Sequence, residues 1–399
     1  MTAPPVARVP VRLWVILAAM VLAQAATTVV AAAPAFLIPY FHEQQGLSLA
    51  TAGLLAGAPN LGLVLALVAW GAATDRYGER RVILIGLALT AATVAAAMLV
   101  DGLLALGIAL IACGAASACT NSASGRLITG WFPPERRGLA MGIRQTCQPL
   151  GMAIAAIGVP ALAVAGGVPL ALALGGALVL VSLGFCAAVV RDPARPIRSS
   201  TVPLGNPYRG SGVLARIHLV SVLLVVPQFA LSTFGLVWFT VGFGWDPLAA
   251  GALVAAAQFA GAAGRIAVGV WSDRAMSRLR PLRLVAIAGV GVLLLAAAFG
   301  WADLSVPAAV AYLLATCVSV ADNGLAFTAV AEIAGPGWAG RALGVQNTGQ
   351  FLAAAAVGPA IGALIGLVGI PAAIAVTALA PAIAVPLVPQ ASERGRAEN

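Results

Sequence analysis

Read for apolar and polar positions alone, the chain is a succession of long apolar runs separated by short polar interruptions. The runs cover approximately 12–40, 50–72, 82–100, 102–130, 139–165 and 168–190, then 214–243, 248–271, 282–300, 304–333, 340–366 and 368–389. Each is about 20 residues or longer, enough for a helix to cross a hydrocarbon core of roughly 30 Å. A closed β-barrel also satisfies its backbone in lipid, but its strands show alternating polarity over about ten residues. These runs are continuous. The pattern therefore predicts an all-α membrane protein with twelve transmembrane helices.

Composition agrees, with 61% apolar residues and a mean hydropathy of +1.01. Charge changes the picture more. Only 9% of residues are charged, yet the net charge is +9 and all 22 basic residues are Arg. They are spread thinly between apolar runs instead of forming a basic domain, which argues against nucleic-acid binding. The interruptions after the even-numbered spans carry Arg76, Arg80 and Arg81; Arg136 and Arg137; Arg191, Arg195, Arg198 and Arg209; Arg274, Arg278 and Arg280; and Arg341. The odd-numbered interruptions carry none. By the positive-inside rule this one-sidedness places both termini and the central linker in the cytoplasm of a multi-pass protein of the cell (inner) membrane. Arg8, Arg12 and the first run resemble a cleaved signal peptide, but the run exceeds a signal core in length and reads as a retained span. The five cysteines lie inside apolar runs without metal-ligand spacing and read as small packing residues.

The interruption at 191–213 is polar and rich in Pro, Ser and Gly, so it reads as an irregular connector. It divides the chain into an N-terminal six-helix bundle (1–190) and a C-terminal one (214–399). The halves are related. "GLAMGIRQTCQ" (138–148) aligns without gaps to "GRALGVQNTGQ" (340–350) at an offset of 202. Gly71, Asp75 and Arg76 correspond to Gly269, Asp273 and Arg274, and Gln24 to Gln228. Polar positions keeping nearly one offset across separate segments indicate a parallel repeat, as in transporter folds.

The segment "ATDRYGERR" (73–81), after the second span, concentrates five charges in nine residues. With Gly71 it forms Gly71-x-x-x-Asp75-Arg76-x-Gly78-x-Arg80-Arg81. This motif, in a six-plus-six layout, resembles the signature of the major facilitator superfamily between its second and third helices. Glu79 departs from it, standing where a basic residue is usual. The second copy, Gly269 to Arg274, lacks the later glycine. The resemblance implies two bundles related by a pseudo-two-fold axis and alternating access by a protein working as a monomer. It also implies a cytoplasmic gate network latching the bundles, here Gly71, Asp75, Arg76, Gly78, Arg80, Arg81, Asp273 and Arg274. In physical terms, Gly71 is expected to end a helix and permit close helix approach. Gly78 is expected to make the turn, while Asp75 faces a helix N-terminus. Arg126 and Arg265, near the ends of spans four and eight, are expected to snorkel or join this network.

Ionisable and polar groups inside the apolar runs are the remaining candidates. Asp322 lies ten residues before Glu332, about 15 Å along a helix and hence near the midplane. A lone carboxylate there is a candidate proton carrier; the alternative is a structural Asp paired with a buried Arg. Arg144 lies seven residues beyond Arg137, roughly 10 Å into the membrane, where its fork suits a carboxylate; packing or snorkelling is the alternative, and Asp322 is a candidate counter-ion. Gln145, Gln148, Asn347 and Gln350 would join it from spans five and eleven. In the family layout spans one, four, seven and ten line a central cavity, so Gln24, Asn121, Gln228 and Asn323 are candidate lining residues. Trp238, Phe239 and Phe36 would give that cavity an apolar wall.

No constellation of catalytic side chains and no phosphate-cradling Gly-Lys loop appears, so the sequence points away from an enzyme or an ATP-driven pump. It calls for no cofactor or metal. The expected function is secondary active transport of a small molecule, a small organic anion with proton coupling through Asp322. The alternative is efflux of an amphipathic compound, although the first span lacks the carboxylate common in drug exporters. A non-transporting sensor, the third reading, is disfavoured by the short tails.

Overall fold

The computed structural model describes residues 10–133, 140, 143, 144, 146–193, 206–209, 212–275, 277–334 and 338–389. Among these every regular element is helical. Span one is Val11–Phe36 with a short continuation, Ile38–Gln45. Spans two, three and four are Leu49–Tyr77, Glu79–Leu99 and Leu103–Trp131. Helix Cys147–Val189 is too long for one crossing at 43 residues, and its geometry breaks at Gly166 and Gly167, the latter at φ 70°. Only glycine adopts that conformation readily, so this helix is two crossings, spans five and six. Span seven is Val213–Val237 extended by a π-helical turn, Trp238–Gly242. Spans eight and nine are Pro247–Arg274 and Leu279–Trp301. Span ten is broken in the middle, Ser305–Ser319 followed by Asp322–Ala334. Span eleven is Ala339–Val368, and span twelve is Ile370–Thr377 with Leu379–Leu387. Eleven helices are long and apolar enough to cross a membrane, and the glycine break in one of them supplies the twelfth crossing.

Helix ends follow the sequence chemistry. Ser48 caps span two by accepting a hydrogen bond from the Thr51 amide at 3.2 Å, and Asp246 caps span eight by accepting from the Leu248 amide at 2.9 Å. Gly78, at φ 91°, makes the turn between spans two and three. Gly71 does not end a helix, because span two continues for six residues beyond it to Tyr77. Nor does it mediate close approach here: a Cβ built on Gly71 or Gly269 meets nothing within 4 Å.

Spans one to six pack on one another, as do spans seven to twelve. Between these N and C bundles the substantial packing joins span two to eleven and span five to eight, with span one and its continuation Ile38–Gln45 touching seven. These contacts sit toward the face opposite the linker, the far face. There, backbones meet directly. A Cβ on Gly53 would strike the Gly358 carbonyl, and one on Gly358 would strike Gly53 in return. Gly57 abuts the Ala355 carbonyl, Gly362 that of Leu49, and Gly251 that of Ala156. Small residues four apart let two membrane helices approach to van der Waals contact. The bundles are thus closed at the far face, and the cleft between them opens toward the linker face.

The described residues of the charged motif work inside one bundle. The Arg80 amide donates to Asp192 Oδ1 at 2.6 Å, and its guanidinium to the Ala187 carbonyl at 3.1 Å, tying span three to the end of span six. Arg76 stacks over Tyr77. Arg81 and Arg274 are exposed. The side chains of Asp75, Arg126 and Asp273, and the whole of Gln145, Arg136, Arg137, Arg195 and Arg198, lie outside the described residues. In the C bundle the comparable contact joins Arg278 to Glu332 at 3.2 Å.

The seam makes a directional prediction. Gly53→Leu or Gly358→Val must part the far face, because the obstructing atoms are backbone. A membrane-impermeant maleimide applied from the far face should label a Thr28→Cys probe in the cleft much faster in those variants than in the parent. Gly71→Ala, with open space around it, should leave labelling unchanged. Equal labelling in all three would refute the seam.

Candidate functional site

The cleft between the bundles encloses about 1130 Å³ of empty space, open solvent included. Span one contributes Thr27 and Thr28, span two Asn60 and Leu63, span four Ser117 and Asn121, and span five Gln148 and Met152. From the C bundle come Gln228, Phe229, Ser232 and Thr233 of span seven, Gln258 and Arg265 of span eight, Thr316 of span ten and Phe351 of span eleven. Amides and hydroxyls dominate the polar wall. Among the described lining residues Arg265 is the one charged side chain.

Behind this wall the repeat reappears as geometry. In the N bundle Gln24 Nε2 donates to Asn121 Oδ1 at 3.0 Å. In the C bundle Asn323 Nδ2 donates to Gln228 Oε1 at 2.9 Å. The same two amides, at matching repeat positions, bridge spans one and four in one half and spans seven and ten in the other. Their surroundings differ. Gln24 Oε1 accepts from the Ser124 hydroxyl at 3.0 Å, and Ser124 Oγ in turn accepts from Arg144 Nε at 2.9 Å. In the C bundle Gln350 Nε2 donates to Ser221 Oγ at 2.6 Å and to Asn323 Oδ1 at 3.1 Å. Gln346, the repeat partner of Arg144, also donates to Ser221, at 3.2 Å. Its own oxygen meets His218 Nδ1 at 3.0 Å, and His218 Nε2 meets the Tyr208 hydroxyl at 2.9 Å. Tyr208 belongs to the linker. Burial raises its phenol above the ordinary value.

The structure therefore sorts the expected residues into layers. Asn121, Gln148 and Gln228 line the cleft. Gln24, Asn323 and Gln350 lie one layer behind, holding lining amides. Arg144 is buried, 9% exposed, lies outside the cleft lining and is bonded to Ser124. Asn347 is half-buried and does not line the cleft. Arg265 differs most from expectation. Among the described residues it lies in the cleft wall, its Nε donating to the Val320 carbonyl at 3.2 Å. That carbonyl is available because span ten breaks after Ser319, releasing backbone acceptors a continuous helix would use.

Asp322 starts the second half of span ten, 1% exposed. It faces away from the cleft, into a small pocket with Leu224, Pro227, Val285, Ser319 and Pro381. Its polar neighbours are its own and the Asn323 backbone N–H groups and, at longer range, the Arg265 guanidinium. None of these forms a hydrogen bond to its carboxylate among the described residues. Its electrostatic partner is thus Arg265, not Arg144. The proposed apolar wall is also displaced. Trp238, Phe239 and Phe36 are buried in the far-face core, where Trp238 and Phe239 pack against Tyr312. Phe229, Phe351, Met152 and Leu63 form the apolar lining instead. Asn60, Gln258, Ser124 and Ser221 were missed. Ser124 and Ser221 offer no pattern beyond a hydroxyl in an apolar run, whereas Asn60 and Gln258 could have been found as amides within spans two and eight.

Comparison with known proteins fits this arrangement. The Major Facilitator Superfamily matches residues 16–359. An uncharacterised MFS-type transporter of Mycobacterium tuberculosis (strain H37Rv) is 47% identical over 359 residues, covering 89% of this chain and 80% of that protein. The hexuronate transporter of Bacillus subtilis (strain 168) is 27% identical over 127 residues, 32% of this chain and 30% of its own length. Among solved structures, a bacterial homologue of the human lysosomal transporter Spinster, inward-facing and unoccupied, superposes with a TM-score of 0.79 at 16% identity, covering 96% of this chain and 97% of that one. A D-xylose–proton symporter superposes with a TM-score of 0.74 at 14% identity, over 94% and 97%. A two-bundle, twelve-crossing chain with a central polar cleft, matched along most of its length, belongs to the Major Facilitator Superfamily of membrane transporters.

Proposed function

We propose that this transporter carries a small hydroxylated organic anion by secondary active transport, and that Arg265 holds its carboxylate. The observation that carries this reading is the cleft itself, with a single guanidinium set among amides and hydroxyls. A guanidinium fork in a low-dielectric wall matches a carboxylate, and the neutral groups opposite suit hydroxyls. A plain hydrocarbon acid would leave those polar groups unpaired. The partial likeness to a hexuronate transporter supports the same class. The one-sided arginines support cytoplasmic termini in the cell membrane, so the linker-face opening is an inward-facing state. Each bundle contributes to one shared cleft, which supports function as a monomer.

Proton coupling through Asp322 completes the reading. It is a buried carboxylate without a hydrogen-bond partner among the described residues, within electrostatic reach of Arg265. Ionised Asp322 offsets the guanidinium charge; protonated Asp322 leaves it to the substrate. Efflux of an amphipathic compound is the second reading, favoured by Phe229, Phe351 and Met152 in the wall.

Uptake into proteoliposomes from a panel of sugar acids, neutral sugars, amines and dyes, with and without a pH gradient, separates the readings. Sugar acids should be taken up and dyes should not; the reverse supports efflux. Arg265→Gln should weaken apparent affinity for the acid by about 10- to 100-fold, the loss of a hydrogen-bonded charge. Unchanged uptake would remove the anion reading. Asp322→Asn should abolish accumulation driven by a pH gradient while counterflow survives. Accumulation that persists would remove Asp322 from coupling.

A further inference from the structure

Two of the amides that line the cleft, Asn121 and Gln228, are turned by hydrogen bonds behind the wall. Guanidinium is a donor only. Because Arg144 Nε donates to Ser124 Oγ, the serine hydroxyl proton is left to point elsewhere, and it points to Gln24 Oε1. With its oxygen occupied, Gln24 turns its NH₂ to Asn121 Oδ1. Asn121 must then show its own NH₂ to the cleft, where it has no partner among the described residues. The C bundle reaches the same polarity by another route. Gln350 donates to Asn323 Oδ1, Asn323 donates to Gln228 Oε1, and Gln228 is left facing the cleft with its NH₂.

We propose that Arg144 is a positioning residue that does not touch the substrate but sets the polarity of a hydrogen-bonded chain ending at Asn121. The cleft thereby presents oriented donors from both bundles: the Asn121 amide on one side, the Gln228 amide and Arg265 on the other. Such a pair of donor sites favours a solute carrying acceptor oxygens at both ends. In the reversed chain Ser124 Oγ would accept from Arg144 and from Gln24 together and its proton would lose the Gln24 oxygen, so Arg144, by occupying one lone pair of Ser124, favours the direction observed. This inference rests on the anion reading for the identity of the solute, but the polarity argument stands on the hydrogen bonds alone.

The test is a double-mutant cycle read as KM for D-glucuronate uptake by the reconstituted full-length protein. Arg144→Gln and Asn121→Ala should each raise KM, by roughly tenfold, with little change in maximal rate. Combined, they should be no worse than either alone, because Arg144 acts only through Asn121. Arg144→Lys, another donor-only residue, should restore most of the affinity. Ser124→Ala, which cuts the chain without touching a charge, should reproduce the Arg144→Gln effect if that variant proves unstable. Additive KM effects would overturn the proposal by showing that Arg144 meets the substrate itself, and so would failure of Lys to rescue. Loss of uptake in Arg265→Gln together with an additive cycle overturns only the positioning role. A non-additive cycle with uptake indifferent to Arg265→Gln overturns only the anion reading.

Discussion

A polar group in hydrocarbon must find its partner within the protein, and the interior of this transporter is organised around that requirement. The pairing of one glutamine with one asparagine, made once in each bundle, answers it. Each such bond is worth only about 0.6 kcal/mol in membrane proteins. Its importance lies in direction, because an amide that turns its oxygen to a neighbour behind the wall turns its NH₂ toward the cleft. The Gln24–Asn121 and Gln228–Asn323 bridges also tie span one to four and span seven to ten. The helices that contribute these amides are thereby joined within their own bundles.

The surfaces between bundles are built differently. At the far face, glycines of spans two and eleven bring backbones into contact. At the linker face, the described part of the charged motif makes its contacts within the N bundle, Arg80 to Asp192 and Arg76 to Tyr77. A small-residue seam lies on one side and exposed arginines on the other; ion pairs at such an exposed surface are worth roughly 0–1 kcal/mol each.

Much of this was legible in the sequence, for identifiable reasons. Span boundaries follow from run length, and the repeat follows from polar residues at one offset, so the paired amides were found before their bonds were seen. Burial of Asp322 was legible too, since its run is apolar and it is 1% exposed in the fold. Facing was not. Arg265 and Asp322 were read from distance along the chain, which says nothing about the side of the helix, and the break after Ser319 changes that side within span ten. The π-helical turn at Trp238–Gly242 likewise moves Trp238 and Phe239 off the expected face. Ser124 and Ser221 could not be singled out, because a hydroxyl that bonds its own helix and one that anchors a network look alike in one dimension.

The central claim is that a guanidinium in a polar cleft recognises the acid function of a hydroxylated solute. Binding of D-glucuronate and of D-glucose to the purified protein, compared by titration calorimetry in one buffer, tests it most directly. The two solutes share ring and hydroxyls and differ in the carboxylate. The account predicts saturable binding of the acid and at least tenfold weaker binding of the neutral sugar, the loss expected for a charge-assisted hydrogen bond. Equal affinity for both, or preference for glucose, would contradict it.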